Sequence, residues 1–547
     1  MHFSAIFFQR LDALDALLAR AAQFLKISCQ RHSKIDATAL DERQVQSYDL
    51  AFCAAELAAS RAVLDYAQRA APHDALAPEF AQLFAVEVFA ASVARLMLRA
   101  ADFGLSFAEI AKCHPSNDSV LAHFGRGETL AKLGAALIAR DGRLPPSLLD
   151  HDKELMRDSF TQFAAEVVAP HAQAIHRDDL DIPEEIIRGA AELGLFGVSI
   201  PQRFGGLQPD ARPDTLAMLV VTEALSAASL GAAGSLITRP EIMARALLVG
   251  GTEAQCAYWL PKLATGEKLV AISITEPDFG SDVAGLKLRA VRCTGGWKLT
   301  GSKTWCTFAG RAEVILMIAR THPDPALGHR GLSQFIVEKP RLAGHEFLYL
   351  APQGGRMTGR AIRTIGYRGM HSYDLFLEDL FVPDSAVVGE AAGLGKGFYY
   401  TMKGLAGGRV QTAGRANGVM QAAFDAALHY AQTRKVFGHS IASYPLMQAR
   451  LARIAAWLTA CRQLSYAVAQ QLDAGGDEMR ASLVKLFACR AAEWVTRDAM
   501  QMHGGVGYAL ESPASRYFVD ARVLSIFEGA EETLALKVIA RELIARA

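Results

Sequence analysis

The sequence predicts a multidomain α+β protein: a helical block, a β block and a second helical block, preceded by an additional helical block. Three observations predict it. The hydrophobic period is helical to about residue 265, changes to short strands over 266–385, and returns to long helices over 386–547. A chain of 547 residues is too long for one hydrophobic core. Segments of the first block also recur in the last, in the same order, about four hundred positions on.

Residues 1–145 are alanine-rich with helical spacing, and "MHFSAIFFQRLDALDALLARAAQFLK" reads as an amphipathic helix. Asp12 and Asp15, with no cleavage site nearby, argue against a targeting leader. "GRLPPSLLD" (142–150) is a linker by its paired prolines. Residues 146–265 stay helical through "DKELMRDSFTQFAAEVVAPHA", "PEEIIRGAAELGLFGVSI" and "DTLAMLVVTEALSAASL". Over 266–385, "LVAISIT", "AVRCTGGWKLTGSKTW", "EVILMIAR", "LSQFIVEK" and "YDLFLEDLFV" read as strands, with Gly295-Gly296 as a hairpin turn. The last block, 386–547, holds long helices such as "RVQTAGRANGVMQAAFDAALHYAQTR" and "ASYPLMQARLARIAAWLTACRQLSYAVAQQL".

The repeat has three parts. "AHFGRGETLAKLGAALIAR" (122–140) aligns with "LSIFEGAEETLALKVIAR" (524–541) on Glu-Thr-Leu. "LFAVEVFAASVARLMLRAADFG" (83–104) resembles "LFACRAAEWVTRDAMQMHGGVG" (486–507), and 47–67 resembles 443–467 with one four-residue slip. The first block therefore reads as a degenerate copy of part of the last. In that register Phe124 stands where the late copy has Glu528.

Composition excludes several classes of function. Lysine plus arginine and aspartate plus glutamate both number 57, and the cations are scattered, which argues against nucleic acid or an anionic membrane. The apolar run nearest to a membrane span, at 84–104, is interrupted by Glu87, Arg95 and Arg99. Eight cysteines lie far apart with no CxxC pair, which suits reduced thiols in a cytoplasmic protein. No metal-ligand spacing is evident, and His371 and His503 lack clustered partners, so both read as structural.

The richest stretch is "SITEPDFGSDVAGLK" followed by "WKLTGSKTWCTFAG". Thr275 to Asp282 and Lys303 to Thr307 resemble two motifs of the acyl-CoA dehydrogenase family. "GLFGVSIPQRFGG" (194–206), "DLFVPDSAVVGE" (379–390), 409–438 and 501–529 are similar to further family segments in the correct order. The resemblance spans about 150–547. It implies that family's fold: a helical domain, a central β-barrel or sheet, and a C-terminal four-helix bundle, here with an extra N-terminal helical domain. It also implies FAD as cofactor, an acyl-CoA substrate and electron-transferring flavoprotein as acceptor. No GxGxxG follows a strand, so a Rossmann site has little support.

Removing two hydrogens from adjacent carbons of a thioester needs a base for the α-proton and an acceptor for the β-hydride. Glu528 is the candidate catalytic base. An exposed carboxylate is too weak, so burial and a polarised carbonyl are expected around it. Apolar Ile526 and Phe527 precede it, and Gly529 permits close approach of substrate. The resemblance places the base there too. The alternative family position, just before Arg409, is Gly408 here. A helix-terminal glutamate or a non-catalytic flavoprotein scaffold remains the competing reading.

By the same resemblance, Thr275 and Thr307 hydrogen-bond the isoalloxazine, Trp305 packs beside it, and Ser281 meets a phosphate or CoA. Arg434, Phe437, Gln501, Gly504 and Gly505 are implied to hold the adenylate and pyrophosphate of a neighbouring subunit's FAD. Arg409 and Gly529 are implied substrate contacts. Ala530 and Val519 depart from the family pattern, and 345–372 is longer than usual, with Arg356, Arg360, Arg363 and Arg368. The resemblance, for a long form of this kind, implies a branched acyl-CoA substrate ending in a second carboxylate. Such a group needs a buried cation. Arg239, in "SLITRPEI", is the candidate, with an arginine of 356–368 as rival. The N-terminal block is expected to cover the face that pairs dimers into tetramers in the family, leaving a homodimer.

Overall fold

The computed structural model describes residues 2–32, 34–113, 119–477 and 479–547. They form two compact units: Leu155–Gln411, and Met1–Glu154 together with Thr412–Ala547.

The second of these joins the first and last sequence blocks. Helices Gln44–Ala70 and Leu76–Leu98 pack together, as do their late counterparts Pro445–Asp473 and Met479–His503. The repeat is also reciprocal. Gly127–Ile138 of the early copy lies on Pro445–Asp473, while the equivalent late segment, Leu534–Ala540, lies on Gln44–Ala70. The first contact is close enough that a Cβ on Gly134 would stand 1.9 Å from the Gln448 carbonyl oxygen, so only glycine fits. Phe84, Trp457 and Phe487 form the aromatic centre, with the latter two rings stacked 5.6 Å apart.

Among the described residues, Leu76–Leu98 is long and apolar enough by composition to cross a membrane, contrary to the expectation that no run reaches that length. It is instead a core helix, mostly buried against its neighbours. Of the charges that interrupt it, Glu87 is satisfied by Arg453 Nε at 2.6 Å and Trp457 Nε1 at 3.0 Å. Phe124 is buried, so the residue facing Glu528 in the repeat is a packing residue.

In the other unit, helices such as Thr215–Ala228 and Thr238–Gly250 accompany one eight-stranded sheet. Its strands are β1 Val270–Ser273, β2 Arg289–Cys293, β3 Gly296–Thr307, β4 Val314–Arg320, β5 Leu332–Glu338, β6 Glu346–Leu350, β7 Arg356–Ile362 and β8 Ser372–Pro383. The order is β1-β4-β2-β3-β8-β7-β6, with β5 also paired to β4. β1 runs parallel to β4, and β2 and β3 form the expected hairpin, with Gly295 at φ 75°. Register shifts between Tyr373 and Leu375 and between Leu377 and Leu380 bend β8 against β3. β6 and β7 were not foreseen as strands. They lie in the long 345–372 segment, where arginines and glycines obscure the alternation.

Candidate active site

The Thr275–Asp282 loop is fixed by a buried ion pair. The Glu276 carboxylate accepts from the amides of Lys287 (2.7 Å) and Leu288 (2.9 Å) and from Lys303 Nζ (2.9 Å). Lys303 also donates to the Ile274 carbonyl at 2.8 Å. Burial pulls its ammonium down to about 8, although Glu276 opposes the shift. The Thr304 amide donates to the Thr275 carbonyl at 2.9 Å, so this loop lies along β3. Glu276 and Lys303 thus carry the architecture of both motifs, a role that the sequence did not reveal.

On β3, Trp305 is 54 % exposed and has φ 57°, a left-handed conformation rare for a bulky residue. Such outliers concentrate where a ligand site over-determines the backbone. Thr307 Oγ1 lies 2.8 Å from Ser372 Oγ, and Ser281 is exposed on the loop. An exposed indole, with a hydroxyl-bearing Thr307 two residues along the same strand, suits the flat, hydrogen-bonding ring system of a flavin.

Arg239 is only 7 % exposed, on helix Thr238–Gly250. Its Nη1 donates to the Ser235 carbonyl (2.5 Å) and meets Met370 Sδ (3.1 Å), while Nη2 donates to Tyr367 Oη (2.8 Å). Among the described residues no carboxylate pairs with it. The rival arginines are engaged elsewhere or exposed. Arg356 pairs with Glu378, Arg360 with Glu346, and Arg368 donates to the His176 carbonyl at 2.6 Å. Arg363 is exposed.

Beyond Met370, His371 is buried between two carboxylates. Nδ1 lies 3.0 Å from Asp181 and Nε2 lies 3.3 Å from Asp179, as ion pairs rather than aligned hydrogen bonds. His345 packs on the ring at 4.3 Å, and Arg368 Nε lies 3.6 Å from Asp179. Burial pushes the His371 imidazole down, but the two carboxylates together outweigh it and raise it above its ordinary value. His371 in turn lowers Asp181. Two partners therefore stand where the sequence suggested none.

A histidine raised on folding contributes its full stability below about pH 6.5 and loses it as pH climbs through the folded value. The lowered Asp181 contributes above about pH 4 and fails only on acidification. Thermal unfolding should show wild type exceeding His371→Gln near pH 6, with the gap narrowing towards alkaline pH. A gap that widens with pH would refute this.

In the helical unit, Glu528 has φ 57° and Gly529 has φ 103°. The Glu528 side chain is 13 % exposed, and Arg415 Nη2, itself fully buried, lies 3.6 Å from Oε1. Oε2 is buried and has no hydrogen-bond partner among the described residues, leaving a lone pair open to a proton. Lys485, 1 % exposed, donates from Nζ to the Gly529 carbonyl at 2.6 Å and ties this turn to helix Met479–His503. A Cβ on Gly529 would come within 2.8 Å of Leu534 Cδ2. Sequence reasoning missed Arg415 and Lys485. The lysine inside the apolar run "SLVKLFAC" was a usable signal, since a charge there must find a partner.

Tyr430 stacks on His503 at 4.6 Å, which sets the end of Gly397–Thr433 beside the turn Gly504–Tyr508. His503 Nδ1 lies 2.7 Å from the Ala499 carbonyl. Arg434 and Gln501 are exposed, Phe437 is 91 % exposed, and nothing stands within 4 Å of a Cβ built on Gly504 or Gly505. Open glycine backbone, an exposed arginine and an outstanding aromatic ring suit a phosphate and an adenine. Arg409 is half-buried on Gly397–Thr433, directly after Gly408.

Comparison with known proteins agrees with this fold. Models of the acyl-CoA dehydrogenase N-terminal, middle and C-terminal domains match residues 150–267, 271–380 and 395–544. The chain belongs to the acyl-CoA dehydrogenase family: it is an FAD-dependent oxidoreductase acting on the CH–CH group of an acyl-CoA. It is similar to (2S)-methylsuccinyl-CoA dehydrogenase of Cereibacter sphaeroides, at 37 % identity over 98 % of this chain and 97 % of that protein. A glutaryl-coenzyme A dehydrogenase solved with glutaryl-CoA shares 29 % identity over 72 % of this chain and 95 % of its own, with TM-score 0.65. A chain from a structure described as electron transferring flavoprotein of Acidaminococcus fermentans shares 28 % identity over 72 % and 97 %, with TM-score 0.64.

Proposed function

We propose that this enzyme oxidises (2S)-methylsuccinyl-CoA to mesaconyl-CoA in the ethylmalonyl-CoA pathway and passes the electrons to electron-transferring flavoprotein. The observation that carries the substrate is Arg239, a buried guanidinium without a carboxylate partner among the described residues. A buried, unpaired cation is costly unless a ligand supplies the anion, and the terminal carboxylate of methylsuccinyl-CoA is such an anion. The likeness to the C. sphaeroides dehydrogenase over nearly the whole chain supports the same choice.

FAD, when bound, supplies the hydride acceptor. Glu528 takes the α-proton on its carboxylate, the β C–H bond releases its electron pair as hydride, and the α-electrons become the new double bond. Thr275, Thr307 and Trp305 orient the isoalloxazine, and Ser281 meets a phosphate or CoA. Arg434, Phe437, Gln501, Gly504 and Gly505 receive the dinucleotide end from a second subunit. Arg409 and Gly529 face the substrate.

The protein works as a cytoplasmic homodimer in this reading. Seven of eight free cysteines are buried, as suits a reducing compartment. The four blocks 1–145, 146–265, 266–385 and 386–547 keep separate roles, the first as a covering layer over the last. Sedimentation should give a dimer, and a stable tetramer would contradict the covering role.

Anaerobic titration of the flavin tests the substrate. Rapid bleaching by (2S)-methylsuccinyl-CoA, and not by glutaryl-, butyryl- or isobutyryl-CoA, is expected. Bleaching by another of these would move the assignment to a different short branched or dicarboxylic acyl-CoA. Bleaching by none would favour a non-catalytic flavoprotein scaffold.

A further inference from the structure

The turn that carries Glu528 is anchored by a residue of the N-terminal block. The Glu531 amide donates to the Ser525 carbonyl at 3.0 Å, which closes residues 525–531 into a loop with Glu528 at its middle. The buried Glu531 carboxylate accepts from the Tyr48 hydroxyl and from Arg490 Nη2 at 2.5 Å. Arg490 also donates to Tyr48 Oη at 3.0 Å. Tyr48 stands on helix Gln44–Ala70, and its ring packs on Phe52 at 4.9 Å. Burial and then the Glu531 carboxylate push its phenol up to about 12, so the hydroxyl stays protonated and remains a donor across the working range.

We propose that Tyr48 is a positioning residue for Glu528, acting through Glu531. The inference rests on Glu528 being the base. A glutamate at φ 57° persists only where its surroundings over-determine the backbone, and a proton acceptor loses rate steeply when displaced. Lys485 fixes the loop at the Gly529 carbonyl, and the Ser525–Glu531 bond fixes its closure. The Tyr48 hydroxyl and Arg490 fix the carboxylate at its exit. Without the hydroxyl, Glu531 keeps one of these two donors and the exit loosens. The N-terminal block thereby joins the catalytic apparatus, although its own copy of the segment has Phe124 in place of the carboxylate.

The test compares flavin-loaded full-length wild type, Tyr48→Phe, Asp41→Ala and Glu528→Gln. The donor is (2S)-methylsuccinyl-CoA, or butyryl-CoA should that be the thioester that bleaches wild type. Tyr48→Phe removes only the hydroxyl and keeps the ring contact with Phe52. Flavin reduction at saturating donor should slow about tenfold, with KM within about twofold and an unchanged melting temperature. Asp41→Ala cuts the exposed pair with Lys537, another tie between the same helical layers, and should leave the rate within about twofold. Equal rates in wild type and Tyr48→Phe overturn the proposal, as does a loss that Asp41→Ala reproduces. Rapid reduction by Glu528→Gln would instead overturn the base assignment, a separate failure.

Discussion

Glu528→Gln is expected to bind FAD and acyl-CoA normally yet reduce its flavin about 10²–10⁴-fold more slowly. The amide matches the carboxylate in shape, so the left-handed turn, the Lys485 anchor and the Arg415 neighbour all persist. What disappears is the lone pair on Oε2, which is buried and unpartnered among the described residues. No second carboxylate stands ready before Arg409, where Gly408 offers none. Stopped-flow absorbance of the oxidised flavin measures the rate directly. Bleaching within about tenfold of wild type would remove Glu528 from the chemistry.

Arg239→Ala should lower kcat/KM for (2S)-methylsuccinyl-CoA about 100-fold, chiefly through KM, and for isobutyryl-CoA less than about threefold. The asymmetry reflects one charge-assisted pair, worth about 2–3 kcal/mol when desolvated. Arg239→Lys should recover little, since an ammonium cannot reproduce a fork that already spans Ser235, Met370 and Tyr367. A second sign separates a waiting cation from an ordinary structural arginine. Arg239→Met removes a buried charge without a carboxylate partner, so the substrate-free protein should become more stable, by about 1–3 kcal/mol. Equal losses for charged and neutral thioesters, with a fall in stability, would make Arg239 a packing residue.

The order of helical and β segments was legible because it depends on local period. The β2–β3 hairpin was likewise legible, since Gly295 alone satisfies φ 75° at the turn. β6 and β7 were not, because "HEFLYL" and "RMTGRAI" present arginine, glycine and exposed leucine on the outer face, so the alternation is weak. The turn bearing Glu528 was found by motif, but its supports were invisible. Arg415, Lys485 and Tyr48 reach it from helices 44 to 483 positions away in sequence, and no periodicity encodes such approaches. His371 shows the same gap, since Asp179 and Asp181 lie nearly two hundred residues upstream.

The reciprocal packing of early and late helices has a consequence for biosynthesis. The helices Gln44–Ala70 and Leu76–Leu98 emerge from the ribosome hundreds of residues before Pro445–Asp473 and Leu534–Ala540, against which they pack. At about 5–20 residues per second, the early layer waits tens of seconds with its apolar faces uncovered. Its closure is a long-range event, and such contacts form slowly because the loop-closure entropy must be met first. A nascent chain of this design therefore depends on holding chaperones more than a relative lacking the extension does, and premature termination near residue 440 would release a sticky fragment rather than a smaller enzyme.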